Sequence, residues 1–176
     1  ISFGGMVAQE LALNHPERVK KLVLGCTSSG GAGGSSYPLH TLQDMPLEEK
    51  IVFRMSKNDK RLDEKWQQEN PEKFQEQIDK AIETAKFAAD DPGKAMGSRR
   101  QLEARAEHDT HERLPELNMP VLVCGGKYDG QAEPEVVENL AARISGAELA
   151  YFEGGHFFLQ QDPEAAKKIT EFLLSE

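Results

Sequence analysis

This chain is poor in the surface chemistry that nucleic acids and membranes require. Its formal net charge is -9, with 21 Lys and Arg against 30 Asp and Glu. That balance excludes a general polyanion binder or a polybasic membrane binder. No apolar run approaches the ~20 residues of a spanning helix, and no charged, then apolar, then small-residue leader opens the chain. There are two cysteines, too few for a disulfide framework. Cys26 and Cys124 each follow a short apolar run. They read as buried thiols in a reducing compartment, so a cytoplasmic setting is expected. No repeat of a solenoid or propeller is visible. The chain also opens on Ile1 rather than Met, which is read as processing or truncation ahead of it.

What is present suits one globular domain: 176 residues, of which 38% are hydrophobic. Met6 to His15 carries apolar residues among good helix formers and stops at Pro16. Val19 to Gly25, Met119 to Gly125 and Ala147 to Phe152 read as short strands with continuous apolar stretches, as expected where both faces of a parallel sheet are covered. Pro134 to Ile144 and Pro163 to Leu174 read as helices between and after them. Ser28 to Ser36 is almost all Gly and Ser, without the Lys-Ser/Thr ending of a phosphate loop, and reads as a flexible connection.

Between the first and second strands the pattern turns polar and helical for about 70 residues with no strand signal. Asp44 before Pro46, Asn70 before Pro71 and Asp91 before Pro92 pair a capping side chain with a proline suited to a first turn. They predict helices over Leu47 to Asp59, Glu72 to Ala89 and Gly93 to Glu107. The expected organisation is therefore an α/β core over 1–36 and 114–176, interrupted by a helical insertion over 37–113.

Strands alternating with helices gather function at the carboxyl ends of the strands. Three residues stand there. Ser2, in Ser2-Phe3-Gly4-Gly5, matches the downstream part of G-x-S-x-G, a strained turn that exposes a serine hydroxyl. Asp129 follows the second strand, and His156 follows the third after Gly154 and Gly155. Each has a plain structural reading: a terminal serine, an Asp-Gly turn residue, a loop histidine. Asp109 and Glu133 are weaker choices for the acid. His108 and His111 with Asp109 and Glu112 offer a metal-like grouping, but without the two-His, four-apart spacing of zinc peptidases, so a structural role is preferred and no metal or other cofactor is expected. His15 and His40 read as a helix-end residue and a loop residue.

The order Ser, Asp, His, together with Ser2 through Ala12, His15-Pro16-Glu17-Arg18-Val19, His108-Asp109 through Leu114, Met119-Pro120-Val121 and Gly154-Gly155-His156, resembles the α/β-hydrolase superfamily. The similarity is to its capped members: enol-lactonases, carbon-carbon bond hydrolases and haloperoxidase-type esterases. It runs from Ile1 to Glu176 and lacks the elbow's first glycine, the strand before it and the loop with the remaining oxyanion donors. The resemblance implies a partial α/β-hydrolase sheet of parallel strands with N-terminal strands absent, and a helical cap where the insertion lies. It implies Ser2 as nucleophile, His156 as base, Asp129 as the orienting acid and the Phe3 backbone N–H as an oxyanion donor. A serine at the nucleophile position speaks against haloalkane dehalogenation, for which relatives use Asp.

The expected substrate is a small ester, lactone or ketone cleaved through an acyl-serine. Phe53, Met55, Trp66, Phe87, Met96 and Phe157 are candidates for the pocket wall, with core packing as the competing reading. Arg99, Arg100 and Arg105 are candidates for a substrate carboxylate, with a solvated helix face as the competing reading. The alternative function is a non-catalytic fragment that needs the missing part or a partner chain. A bare sheet edge would then favour oligomerisation.

Overall fold

In a computed structural model, residues 1–87 and 93–175 are described, without the side chain of Phe87. The chain opens directly into helix α1 (Phe3–Asn14) and reaches strand β1 (Leu22–Gly25) through a 3₁₀ turn at Pro16–Arg18. Helices α2 (Leu47–Asn58), α3 (Glu64–Glu69), α4 (Pro71–Phe87) and α5 (Lys94–Glu107) follow before strand β2 (Val121–Gly126). Then come α6 (Pro134–Arg143), β3 (Glu148–Phe152), α7 (Phe158–Gln161) and α8 (Pro163–Leu174).

The strands form one parallel sheet in the order β1-β2-β3. Register is set by Leu22 opposite Val121 and by Leu122 opposite Glu148. Every residue of β2 is buried, as a central strand covered on both faces must be. Leu24, Val121, Val123, Val137, Leu140 and Phe158 carry the core around it. β1 begins later than the apolar pattern predicts, because Val19 closes the preceding 3₁₀ turn by donating to Pro16.

The helical segment differs in detail from its start signals. Asp44 caps nothing at α2, whose N-cap is Pro46 with no side-chain bond. The Asn70 side chain serves the helix before it, donating to the Trp66 carbonyl at 2.9 Å. The signal at Asp91 and Pro92, and the end of the second expected helix at Ala89, lie outside the described residues. Helix α3 was not anticipated: six residues are too few for periodicity, and its sign is the Asp63 cap, which accepts from the Trp66 N–H at 2.8 Å.

The Gly/Ser connection is packed rather than loose. Ser28, Ser29 and Ser36 are buried. The Ser28 and Ser36 hydroxyls lie 3.0 Å apart, and Ser29 accepts from Thr110 N–H at 2.8 Å. Small residues here let the chain run close against the segment leading into β2, a packing role that composition reads as flexibility.

Candidate functional site

Ser2 sits at the N-terminus of α1 with φ 53° and ψ -126°. This is costly backbone for a residue with a side chain, of order 1–3 kcal/mol, and survives only where the surroundings impose it. Those surroundings are visible. The Ser2 N–H donates to Gly25 at the end of β1 (2.8 Å), and the Thr27 hydroxyl donates to the Ser2 carbonyl (2.8 Å). Gly5 lets α1 approach that threonine: a Cβ there would stand 2.7 Å from its side chain. Buried Gln9 completes the support by donating to the carbonyls of Gly5 and Ser28, while Thr110 donates to it at 2.6 Å.

Two loops converge on this turn. Asp129, after β2, is fully buried. Its Oδ1 accepts from the N–H groups of Gln131 (2.7 Å) and Ala132 (3.1 Å). Its Oδ2 lies 2.8 Å from Nδ1 of His156, and Nε2 of the same ring lies 3.0 Å from Ser2 Oγ. A carboxylate only accepts, so in the neutral imidazole Nδ1 carries the proton and Nε2 is left to accept from the serine hydroxyl. The structure thus brings Ser2, Asp129 and His156 together. Asp109 accepts instead from the His111 backbone, and Glu133 pairs with Lys60.

The helical segment fastens these loops at one place. The last carbonyls of a helix lack intrahelical partners. At the end of α2, Lys57 accepts from the Gly130 N–H at 2.9 Å and Asn58 from the His156 N–H at 2.6 Å. The Asn58 side chain also accepts from Gln131. Gly155 permits this approach, since a Cβ there would fall 2.0 Å from the Asn58 carbonyl. Next along the chain, buried Asp59 pairs with Arg61 at 2.6 Å and accepts from Gln161 at 3.0 Å. Burial opposes its charge, but bonds from Arg61 outweigh that and hold the carboxyl below the usual range. Sequence reasoning missed these supports. Gln9 and Asp59 are polar residues without a motif, and backbone carbonyls leave no signature at all.

Cys26 is the remaining neighbour. Its sulfur, an Asp129 oxygen and a His156 nitrogen lie within 4.8 Å of one another, the one metal-like grouping among the described residues. Burial, and then the Asp129 charge, push the thiol well above its ordinary pKa. It is therefore protonated and a poor ligand, and a metal would have to break the His156–Asp129 bond. His108 and His111 are not part of such a grouping: the His108 ring leaves Nε2 buried without a partner, while His111 Nδ1 lies 3.4 Å from Ser29. Cys124, likewise free, is pushed up to about 12 by burial.

A cleft of about 810 Å³ opens over Ser2 and His156. Phe157 stands in its wall, edge-on to His156 at 5.9 Å. The rest comes largely from the segment before α2 and from α2 and α5, including Leu42, Arg54, Leu102 and Arg105. The expected wall residues are mostly elsewhere. Phe53 faces Tyr37 at 5.4 Å, Met96 is exposed, and neither they nor Met55 and Trp66 line the cleft. Arg99 and Arg105 do line it, and Arg100 does not. The side chain of Phe87 lies outside the described residues.

A serine in strained backbone at the start of a helix, with aspartate and histidine following β2 and β3, is the arrangement of one large hydrolase fold, and the match to known proteins agrees. The model of the alpha/beta hydrolase fold family matches residues 1–163. The chain belongs to the α/β-hydrolase fold family. It is 28% identical over 193 residues to a poly(3-hydroxyalkanoate) depolymerase of Ectopseudomonas oleovorans, covering 100% of this chain and 60% of that protein. It superposes on the enol-lactonase of Burkholderia xenovorans LB400 with TM-score 0.72 at 18% identity, covering 99% of this chain and 64% of the other. A hydrolase of Pseudomonas aeruginosa PA01 gives TM-score 0.71 at 24% identity, with coverage of 99% and 63%. The chain thus spans under two thirds of the length of these α/β-hydrolases and carries part of their sheet.

Proposed function

We propose that this α/β-hydrolase chain carries the catalytic triad of a serine hydrolase, with Ser2 as nucleophile, His156 as base and Asp129 as orienting acid. The carrying observation is the continuous relay from Ser2 Oγ through both nitrogens of His156 to Asp129, at 3.0 and 2.8 Å. As His156 takes its proton, Ser2 Oγ attacks the carbonyl carbon of an ester, lactone or activated carbon-carbon substrate. The oxygen gathers negative charge towards the Phe3 N–H, which lies in the first turn of α1 where no intrahelical acceptor exists. His156 then protonates the leaving group, leaving an acyl-serine. Next it deprotonates a water, whose attack on the acyl carbon regenerates Ser2 and releases the acid. The polyester and lactone named for two relatives fit acyl chemistry. Helices α2 to α5 act as the cap, and α2 and α5 line the acyl cleft over the nucleophile.

A second reading is favoured by a specific observation: beyond β2, β1 has no strand neighbour among the described residues, and Ile1, with Val7 and Leu11 of the adjoining helix, is exposed. On this reading the chain needs further sheet, from a longer polypeptide or a second chain, before it turns over. The buried free thiols of Cys26 and Cys124 fit a reducing, cytoplasmic setting.

Incubation with a fluorophosphonate followed by peptide mass spectrometry separates these readings, with p-nitrophenyl ester turnover and light scattering on the same sample. Labelling at Ser2 with turnover supports the triad; labelling of an associated, inactive chain supports the second reading. Absence of label at Ser2 in the folded chain overturns the nucleophile.

A further inference from the structure

The cleft over Ser2 holds charge of one sign. Lys50, Arg54, Arg99 and Arg105 line it and no Asp or Glu does, in a chain whose formal net charge is -9. Acidic residues outnumber basic ones overall, so a wall with four cations and no anion is a local reversal of the protein's field. Arg99 is answered by Glu103 at 2.7 Å on its own helix. The other three have no carboxylate partner among the described residues. Lys50 donates to the Gln43 carbonyl at 2.9 Å, and Arg105 to the Tyr37 carbonyl at 3.2 Å. On other faces Arg61, Arg113 and Arg143 each donate to a carboxylate.

Arg105 carries the argument furthest. It is partly buried on α5, and both burial and the neighbouring Arg54 of α2 lower its pKa. Two guanidiniums from different helices repel across the cleft, and buried Asp129, already bonded to His156, only partly offsets that repulsion at Arg105. An anion seated there would offset it with charge-assisted, forked hydrogen bonds. Leu39, Leu42, Leu102 and Phe157 provide apolar wall in the same cleft as Ser2.

We infer that Arg54 and Arg105 form a carboxylate receptor, so that the preferred substrate is an ester or lactone whose acyl half ends in a second carboxylate. The receptor holds the distal carboxylate while the apolar wall covers the methylene chain and the scissile carbonyl meets Ser2. This rests on the acyl transfer proposed above, and it names the substrate class for that site.

The test compares mono-p-nitrophenyl glutarate with p-nitrophenyl pentanoate, which have equal chain length but only the first ends in a charge. The expected ratio of kcat/KM favours the anionic ester tenfold or more. It declines as salt is raised and collapses in Arg54→Gln/Arg105→Gln, but not in Arg100→Gln, whose charge lies outside the cleft. A ratio near one, or a preference that survives the double variant, overturns the receptor. Binding without turnover is read separately, by calorimetry of glutarate and of neutral glutaramide on the Ser2→Ala chain, with circular dichroism to verify folding. Glutarate bound tenfold tighter and released by the double variant, with no ester cleaved by the wild type, would sustain the receptor and sink the hydrolase. Equal binding of the two would sink the receptor alone.

Discussion

The ends of the strands and the helices above them are built on different terms. Around Ser2, Asp129 and His156, nearly every polar group has a named partner: Asp129 is fully buried, and the strained serine is held from β1 and from Thr27. Helices α2 to α5 are half-exposed, and among their described residues few side chains are fully buried. The contrast divides the labour. The proposed acyl transfer tolerates little displacement of its groups, which sit on a strained turn braced by β1 and on the loops after β2 and β3. Selecting a substrate requires only a wall, and a wall on half-buried helices can be altered without disturbing the relay. The two regions meet where the end of α2 receives the Gly130 and His156 N–H groups.

The harshest test of this division removes members of the relay. Ser2→Ala or His156→Ala should lower kcat for p-nitrophenyl esters by roughly 10⁶-fold, and Asp129→Asn by roughly 10⁴-fold, since triad members act as a unit and the acid's role is orientation. These rates are to be measured in a form of the protein that turns over. A wild-type rate in Asp129→Asn, joined to a large loss in Asp109→Asn or Glu133→Gln, would move the acid and break the comparison at its root.

An intermediate effect is expected where the regions are joined. Asp59→Asn removes a buried carboxylate paired with Arg61, a group about half exposed, so the cost should be about 1–2 kcal/mol after allowing for solvent on the arginine. The pKa of Asp59 is depressed in the folded chain. Its contribution is therefore fully present above the ordinary carboxylate range near about 4 and is lost as pH falls through the lower folded value. Melting curves of the two proteins should differ by a constant amount from neutral pH down to about 5 and converge in stronger acid. A gap that stays open there would mean the aspartate acts through packing rather than charge.

The sequence was legible where chemistry constrains residue type and weakly so where only packing does. Ser2, Asp129 and His156 could be picked out because glycines, strand ends and chain order coincide at each, and the three strands because their apolar runs are continuous. The cleft wall was legible only in part, at Phe157, Arg99 and Arg105. Phe53 and Met96 are large and apolar, but α5 segregates apolar residues too weakly for spacing to reveal which face looks down on Ser2, and Phe53 of α2 turns its ring to Tyr37. On α5 the half-buried positions are Leu102 and Arg105, and both line the cleft. The α2 carbonyls that hold the His156 loop are backbone atoms, and no residue type announces them. The Gly/Ser loop was misread because burial depends on what packs against a segment, here Thr110 and its neighbours.

The smallest effects belong to large residues outside the cleft. Trp66 is half-buried between α2 and α4 in the chain and does not reach the cleft; Phe53 spends its ring on Tyr37, with Lys57 over its face at 5.8 Å. Truncating either should lower the melting temperature but move the preference among p-nitrophenyl acyl chain lengths by less than about twofold, the scale of a substitution remote from the feature measured. Leu102→Ala should move it further, because Leu102 lines the cleft and its loss enlarges the space for the acyl chain. The decisive quantity is the ratio of kcat/KM values across chain lengths, which cancels loss of folded protein. If Trp66→Ala or Phe53→Ala shifts that ratio as strongly as Leu102→Ala, the helical segment shapes the cleft through its whole packing rather than through its inner wall. The separation of relay from wall would then need a further distinction between the wall and the helices behind it.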